Sequence, residues 1–205
     1  AYVGANCYIG PNCQIGEGVT LHQNVTLSRN VRVGEHSTIL SNSVVGESGF
    51  GVEEDYDGTL FCIPHLGGVE IGAHVRIGSL NSIAAGTINP TIIGDYTKTD
   101  NLVHIAHNVQ IGRYCQIAAC AEISGSVTIG DRVWLSPNIS IMQKVFIGAG
   151  ALVGMGAVVT KSVSENTVVA GVPAKAIRKI YGVRELSSSL LTWMLLVQIA
   201  LSKCS

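Results

Sequence analysis

An aliphatic residue returns every six positions along most of this chain, and this period constrains the fold more than any other feature. The series starts at Val3, continues through Ile9 and Ile15, and often has glycine directly after the aliphatic residue. It is interrupted at 47–68, slips in phase between Ile83 and Ile93, and then runs on to Val159. A hexapeptide period sustained over about 23 units is typical of a parallel β-helix.

The period also predicts which way the side chains point. Three units would close one triangular coil, so residues eighteen apart would stack in columns and bury their aliphatic groups on one another. The first residue and the small fifth residue of each unit should point inward, and the others outward. We assign the frequent glycine at the second position to a tight corner with positive φ. A sandwich of short strands is the alternative, but it does not require a strict six-residue phase.

Composition narrows the functional classes. The 205 residues suit one large domain, and a net charge of −1 with 13% charged residues does not suggest a nucleic-acid-binding face. The six cysteines include no C-x-x-C pair, which argues against a disulfide framework or a zinc knuckle. Cys7, Cys13 and Cys115 occupy small fifth positions and are predicted to fill the core. Reduced thiols and no visible signal peptide predict a cytoplasmic location.

The interruptions predict the domain organisation. We expect an all-β, β-helix domain over 1–170 with an ejected loop at 47–68, followed by a helical C-terminal extension over 171–205. The apolar residues of the loop favour packing, including across a subunit boundary. The composition of 184–201 predicts a helical tail that caps the solenoid or joins subunits, because its apolar run is too short for stable membrane insertion. The chain opens in mid-repeat without Met, which indicates a fragment of a longer protein.

One stretch could carry chemistry. His107 is the third residue of its unit and should face outward, as should His104 at the sixth position of the preceding unit. Eighteen residues after His107 stands Gly125, so the stacked position lacks a side chain and should expose a backbone N–H. A base beside such a donor suits acyl transfer, because the base takes a proton from the nucleophile and the N–H stabilises the oxyanion.

Three segments carry a family resemblance. Residues 49–51, 63–72 and above all the D-N-x-x-x-I-A-H-N element at 100–108 are similar to the UDP-3-O-acylglucosamine N-acyltransferase family, over 1–160. The resemblance implies a left-handed β-helix, a homotrimer, and N-acylation of a nucleotide-linked amino sugar in lipid A biosynthesis. It also implies no tightly bound cofactor, since a hydroxyacyl carrier protein thioester serves as co-substrate.

The resemblance assigns candidate site residues. His107 would be the general base, Gly125 would supply the oxyanion donor, and Asp100 would be an acidic group near the base or the sugar. Further substrate contacts would be His104, Asn108, Phe50 and His65. A basic cluster near the C-terminal coils would meet either the acidic face of a carrier protein or the 3′-phosphate of coenzyme A; its members are Lys175, Arg178 and Lys179.

Other features keep alternatives open. The family commonly carries a second histidine in an N-G-H-x-x-I context, whereas this chain has other residues at 142–145. The segments around Trp134 and over 169–175 look more like acetyl-CoA-dependent sugar acetyltransferases, which gives the second functional reading. A zinc enzyme of the carbonic-anhydrase type would need three converging histidines, which the spacing does not offer. A non-catalytic solenoid is the remaining alternative.

Overall fold

The computed structural model describes residues 1–180, which form a solenoid of short strands. The strands are β1 (Tyr2–Val3), β2 (Tyr8–Ile9), β3 (Gln14–Ile15), β4 (Thr20–Leu21), β5 (Thr26–Leu27), β6 (Val31–Val33), β7 (Thr38–Ile39), β8 (Val44–Glu47), β9 (Val52–Glu54), β10 (Leu60–Cys62), β11 (Val69–Ile71), β12 (Arg76–Ile77), β13 (Ser82–Ala84), β14 (Thr91–Ile93), β15 (Lys98–Thr99), β16 (His104–Ile105), β17 (Gln110–Ile111), β18 (Gln116–Ile117), β19 (Glu122–Ile123), β20 (Thr128–Ile129), β21 (Trp134–Leu135), β22 (Ser140–Ile141), β23 (Phe146–Ile147), β24 (Leu152–Val153), β25 (Val158–Val159), β26 (Thr167–Ala170) and β27 (Lys175–Lys179).

Three sheets form the faces of the solenoid. Face A is the ten-stranded sheet that begins with β1 and β4 and ends with β26 and β27; face B is the eight-stranded sheet from β2 to β25; face C is the seven-stranded sheet from β3 to β23. Successive strands of each face are parallel, except the last pair of face A. The predicted all-β parallel solenoid is therefore confirmed, and its roughly nine turns match a left-handed β-helix.

The core consists of aliphatic columns. On face B, Ile105 pairs with Ile123 and Ile123 pairs with Ile141, each step being one coil of eighteen residues. All three side chains are fully buried, and burying such a side chain contributes about 1.5–3 kcal/mol. Cys115 is buried in the same core, and Cys7 and Cys13 pack against it, as predicted from their positions.

The corners correct one detail of the sequence analysis. Positive φ falls on the fourth residue of each unit, often asparagine, as at Asn6 (58°) and Asn12 (59°). Asparagine tolerates this conformation better than most residues. Glycine at the second position serves close packing instead, because a Cβ on Gly4 would lie 2.8 Å from the backbone of the next coil.

Aromatic rings stack along the corner between faces C and A. His36 stacks on His74, His74 on Tyr96 and Tyr96 on Tyr114, with centroid distances of 5.2, 4.8 and 4.9 Å. The guanidinium of Arg132 lies 4.6 Å above the Tyr114 ring and ends the stack. We call this series the corner ladder.

Both interruptions of the period leave the solenoid at one corner, between faces B and C. The first follows β8 and contains the antiparallel hairpin of β9 and β10 before the chain returns as β11. The second lies between β13 and β14. The strand register continues across the first interruption, since Val33 of β6 pairs with Ile71 of β11. Two irregular segments therefore lie at the same corner as the candidate residues that follow β16.

The C-terminal end departs from the predicted extension. Lys175–Lys179 form strand β27, which pairs antiparallel with β26 and gives a hairpin, so 175–179 are extended rather than helical. The predicted helix over 184–201 lies outside the described residues, and the division of the chain at 170 stays a prediction. Within residues 1–180 there is no helix with the length and apolar character needed to cross a membrane.

Candidate active site

His107 lies where the chain turns from face B to face C. It follows β16, and Asn108 beside it has a φ of 60°, the left-handed conformation that asparagine tolerates. The His107 carbonyl accepts a hydrogen bond from the N–H of Ser126 in the next coil (2.9 Å). Its side chain is half-buried rather than in the core, as the register predicts. The corner backbone thus holds His107 at a fixed height on the solenoid.

Gly125 stacks directly on the His107 ring. A Cβ built on Gly125 would lie 2.8 Å from both Cε1 and Nε2 of His107, so only glycine leaves room for the imidazole. Gly125 is buried, whereas the sequence analysis expects an exposed N–H, because the histidine ring covers this position. Its N–H makes no hydrogen bond to any group of residues 1–180, so it retains a donor for a ligand that reaches it.

Asn108 fixes the orientation of the His107 ring. The Asn108 Oδ1 accepts hydrogen bonds from the backbone N–H of Thr87 (2.8 Å) and from its hydroxyl (3.1 Å). Because a backbone N–H can only donate, the other amide atom of Asn108 must be Nδ2, and it lies 3.1 Å from Nδ1 of His107. The hydrogen-bond network therefore assigns Nδ1 as an acceptor and puts the proton of neutral His107 on Nε2.

The ejected loop supplies a second histidine. His65 is only 4% exposed, and its ring lies edge-on to His107 with a centroid distance of 5.1 Å and an interplanar angle of 62°. Neither ring nitrogen of His65 has a hydrogen-bond partner among the described residues. A Cβ on Gly49 would lie 2.9 Å from Cδ2 of His107 and 3.1 Å from Nε2 of His65. Both rings therefore converge on the space that Gly49 leaves open.

The environment keeps His107 neutral. Burial of the ring, and secondarily the charge of His65, lower the pKa of His107 below its ordinary value. A histidine with a lowered pKa is unprotonated at neutral pH and can accept a proton. The electrostatics of the corner therefore suit a base.

The remaining predicted substrate contacts are more exposed. His104 points out from face B between Ser82 and Glu122 of the neighbouring coils. Phe50 is 90% exposed in the ejected loop, next to Gly49. Asn108 and His65 are the two predicted contacts that lie against His107.

Asp100 does not reach His107 within the chain. It follows β15 on face A, where its Oδ1 accepts a hydrogen bond from the N–H of Asn101 (2.8 Å). The partner of the His107 ring is Asn108 instead. Asp100 lines a groove on face A together with Lys98. To act beside His107 of the same chain, the Asp100 side chain would have to reach across face B. The assignment of Asp100 therefore stays a prediction.

The predicted donor-binding cations lie on the terminal hairpin. Lys175 and Arg178 are exposed on β27. Lys179 instead holds the hairpin to the solenoid, since its Nζ donates to the hydroxyl of Thr167 (2.8 Å) and to the carbonyl of Glu165 (3.2 Å). Lys175 and Arg178 are therefore better placed to meet an anionic donor than Lys179.

A cleft of about 390 Å³ lies under the ejected loop. His65 forms part of its wall, and Glu47 and Arg29 contribute charged side chains to the lining. A larger groove of about 750 Å³ runs along face C, lined by backbone glycines and by the ion pair of Arg32 and Glu70 (2.9 Å). The first cleft adjoins the histidine pair.

Sequence reasoning missed two contributors. Thr87, in the second interruption, orients Asn108, and Gly49 makes space for both rings. The resemblance includes 49–51 but gives no reason for that glycine. Among residues 1–180, no group of three or more His, Cys, Asp or Glu side chains is arranged to hold a metal ion.

Comparisons with known proteins agree with this picture. A model of the bacterial transferase hexapeptide family (six repeats) matches residues 1–29 and 90–125. UDP-3-O-acylglucosamine N-acyltransferase 1 of Francisella tularensis is 49% identical over 86 residues, which make up 42% of this chain and 25% of that protein. The alignment thus spans a quarter of the curated relative. The resemblance to UDP-3-O-acylglucosamine N-acyltransferases predicted from the sequence is confirmed.

Solved structures share the solenoid over most of its length. The structure of LpxA from Acinetobacter baumannii superimposes with a TM-score of 0.72 at 28% identity, covering 87% of this chain and 70% of that one. The UDP-N-acetylglucosamine acyltransferase of Francisella novicida gives a TM-score of 0.73 at 26% identity, covering 87% and 66%. The fold and the resemblance therefore both point to hexapeptide-repeat acyltransferases.

Proposed function

We propose that this chain is an acyltransferase that moves an acyl group from a phosphopantetheine thioester to the amine of a nucleotide-linked amino sugar. The observation that carries the proposal is the stack of His107 on Gly125, where a neutral imidazole faces a position without a side chain. The names of the similar proteins, which are acyltransferases of UDP-linked glucosamine derivatives, support this substrate class.

The geometry suits direct transfer. His107 would take a proton from the attacking amine at Nε2, and the N–H of Gly125 would stabilise the oxyanion that forms on the thioester carbonyl. The same proton would then pass to the departing thiolate, so no cysteine is needed as a nucleophile. Because the hydrogen bond from Asn108 leaves the resting proton on Nε2, the ring must adopt the other tautomer before it acts.

We propose that the active form is a homotrimer in the cytoplasm, serving lipid A biosynthesis. Within residues 1–180 the ejected loop covers one side of the corner at His107, and a neighbouring solenoid would supply the opposite wall. The exposed Phe50 and Phe61 of the loop (90% and 49%) would pack in such a groove. Light scattering should give a trimer, and an active monomer would contradict the assembly.

The donor is proposed to be a hydroxyacyl carrier protein. The exposed Lys175 and Arg178 on the terminal hairpin suit the acidic face of such a protein. Acetyl-CoA is the second candidate, and one feature favours it: Trp134 lines a face A groove with Arg76 and Lys98, an aromatic and cationic combination that suits an adenine nucleotide.

A donor panel tests the proposal. The purified chain is given UDP-3-O-acylglucosamine with either hydroxyacyl carrier protein or acetyl-CoA, and both released thiol and acylated product are measured. His107→Ala should lower turnover by about 10²–10⁴-fold, the usual weight of a positioned base. His22→Ala, a histidine of an early coil far along the solenoid, is the matched control and should keep wild-type turnover.

Four outcomes decide between the two donors and test the assignment. Turnover with the carrier protein supports the proposed donor, and efficient turnover of acetyl-CoA alone supports the second candidate. A His107→Ala variant with wild-type rates, or no transfer with either donor by the folded protein, would refute the assignment.

A further inference from the structure

His65 is a buried polar group without a partner. It is 4% exposed, and both ring nitrogens lack hydrogen bonds within residues 1–180. Leaving a buried donor or acceptor unpaired destabilises the folded state. The large majority of buried polar side-chain atoms in folded proteins have a hydrogen-bond partner, so an exception needs an explanation. The question is which group His65 pairs with.

The nearest candidate is the ring of His107. The two rings meet edge to face at 5.1 Å, and Nε2 of His65 and Cδ2 of His107 both border the space beside Gly49. In the resting arrangement this edge of His107 carries a carbon, because Nδ1 is turned towards Asn108. Nε2 of His65 and Cδ2 of His107 therefore border one space, and no hydrogen bond joins the two rings.

A half-turn of the His107 ring about its Cβ–Cγ bond exchanges Nδ1 with Cδ2 and Nε2 with Cε1, and the last two positions both lie 2.8 Å from the Cβ position of Gly125. Nδ1 would then border the space beside Gly49 that Nε2 of His65 also borders, and an Nδ1–H could donate to that nitrogen. The proton of neutral His107 would move from Nε2 to Nδ1 through solvent exchange, which frees the Nε2 lone pair. This is the tautomer that a base acting at Nε2 requires.

We propose that His65 is a positioning residue that selects the base-competent tautomer of His107, in competition with Asn108, which holds the resting one. This role has a purpose only if the chain carries out the proposed acyl transfer, so the inference rests on the proposed function. His65 would play the part of the carboxylate that holds the histidine of a Ser-His-Asp triad in the correct tautomer. As the amine proton reaches Nε2, the resulting imidazolium shares its Nδ1–H with Nε2 of His65. The proton leaves Nε2 again with the thiolate.

The chain offers conservative variants for each partner. His65→Gln keeps an acceptor in the amide oxygen, whereas His65→Leu has a similar size and no acceptor. Asn108→Gly removes the competing amide and still tolerates the φ of 60° at this corner. Both sites lie at the corner between faces B and C rather than in the aliphatic columns, and circular dichroism and thermal melting would check the folding of each variant.

The first experiment measures the tautomer directly and needs no activity. Ring ¹⁵N shifts of His107 should report Nε2–H in the wild type. In Asn108→Gly they should report Nδ1–H, because His65 is then the remaining partner. Adding His65→Leu to Asn108→Gly should restore Nε2–H, and adding His65→Gln should keep Nδ1–H. If Asn108→Gly stays Nε2–H whatever stands at position 65, the proposal is overturned.

The second experiment measures kinetics with the donor that the panel identifies. His65→Leu should lower kcat by about 10²-fold or more with little change in KM, as when a catalytic histidine is left in the wrong tautomer. His65→Gln should recover most of the loss. Equal rates in wild type and His65→Leu would overturn the role of His65 while leaving acyl transfer intact. Tautomers that behave as expected in a protein without transferase activity would refute the proposed function alone.

Discussion

Replacing Gly125 with Ala tests the stacked site most directly. The new Cβ would lie 2.8 Å from Cε1 and from Nε2 of His107, a separation that real Cβ atoms essentially never show, so the imidazole must move. Gly125 itself has no left-handed φ, and alanine therefore brings no backbone strain. The substitution disturbs the contact between the base and the proposed oxyanion donor and little else.

The expected loss is large for activity and small for stability. Loss of one oxyanion donor costs about 2.7–4 kcal/mol, or about 10²–10³-fold in kcat, and the displaced base adds to this. Steady-state kinetics with thiol release, together with a thermal melt, measures both quantities. We expect a folded protein with kcat reduced by at least about 10²-fold.

Gly156→Ala is the matched control. It lies at a corner with a φ of 66°, and a Cβ there would meet nothing within 4 Å. Alanine should cost about 1–2 kcal/mol of stability from the left-handed backbone and leave kcat unchanged. Wild-type kinetics in a folded Gly125→Ala protein would refute the stacking of His107 on Gly125.

Three further outcomes are expected. Because the pKa of His107 is lowered by burial, kcat/KM should rise with pH through an inflection below the ordinary histidine pKa of about 6.5 and stay level above it; an inflection above that value would contradict the neutral base. Tyr114→Ala removes stacking on Tyr96 and the cation–π contact that ends the corner ladder, so the free energy of unfolding should fall by about 1–2.5 kcal/mol in chemical denaturation, with unchanged kcat. Burial raises the pKa of Cys115 to about 11, so mass spectrometry after native alkylation at pH 8 should find exposed Cys62 modified and Cys115 intact, and labelling of Cys115 at an equal rate would contradict its burial.

The C-terminal segment shows where local sequence signals mislead. Residues 175–179 lie in what the sequence analysis reads as a helical extension, yet they pair with β26 as a strand. The open edge of the last coil offers unpaired backbone groups, and satisfying them outweighs a weak local preference. The glycine after each aliphatic residue is a second case, because close approach between coils, and not positive φ, requires it.

The sequence by itself determined the solenoid and one half of the site. A fixed period translates into a fixed column, so the outward direction of His107 and its stacking on Gly125 follow from spacing alone, since each coil repeats the one before it. Only the tertiary structure decided the other half. The segments that bring Gly49, His65 and Thr87 to this corner have no period, and their course depends on what they pack against. The same holds for Asn108, whose hold on His107 requires the orientation that Thr87 imposes. In regular repeats the local sequence period fixes where each residue lies, whereas the loops that surround His107 are positioned by long-range contacts.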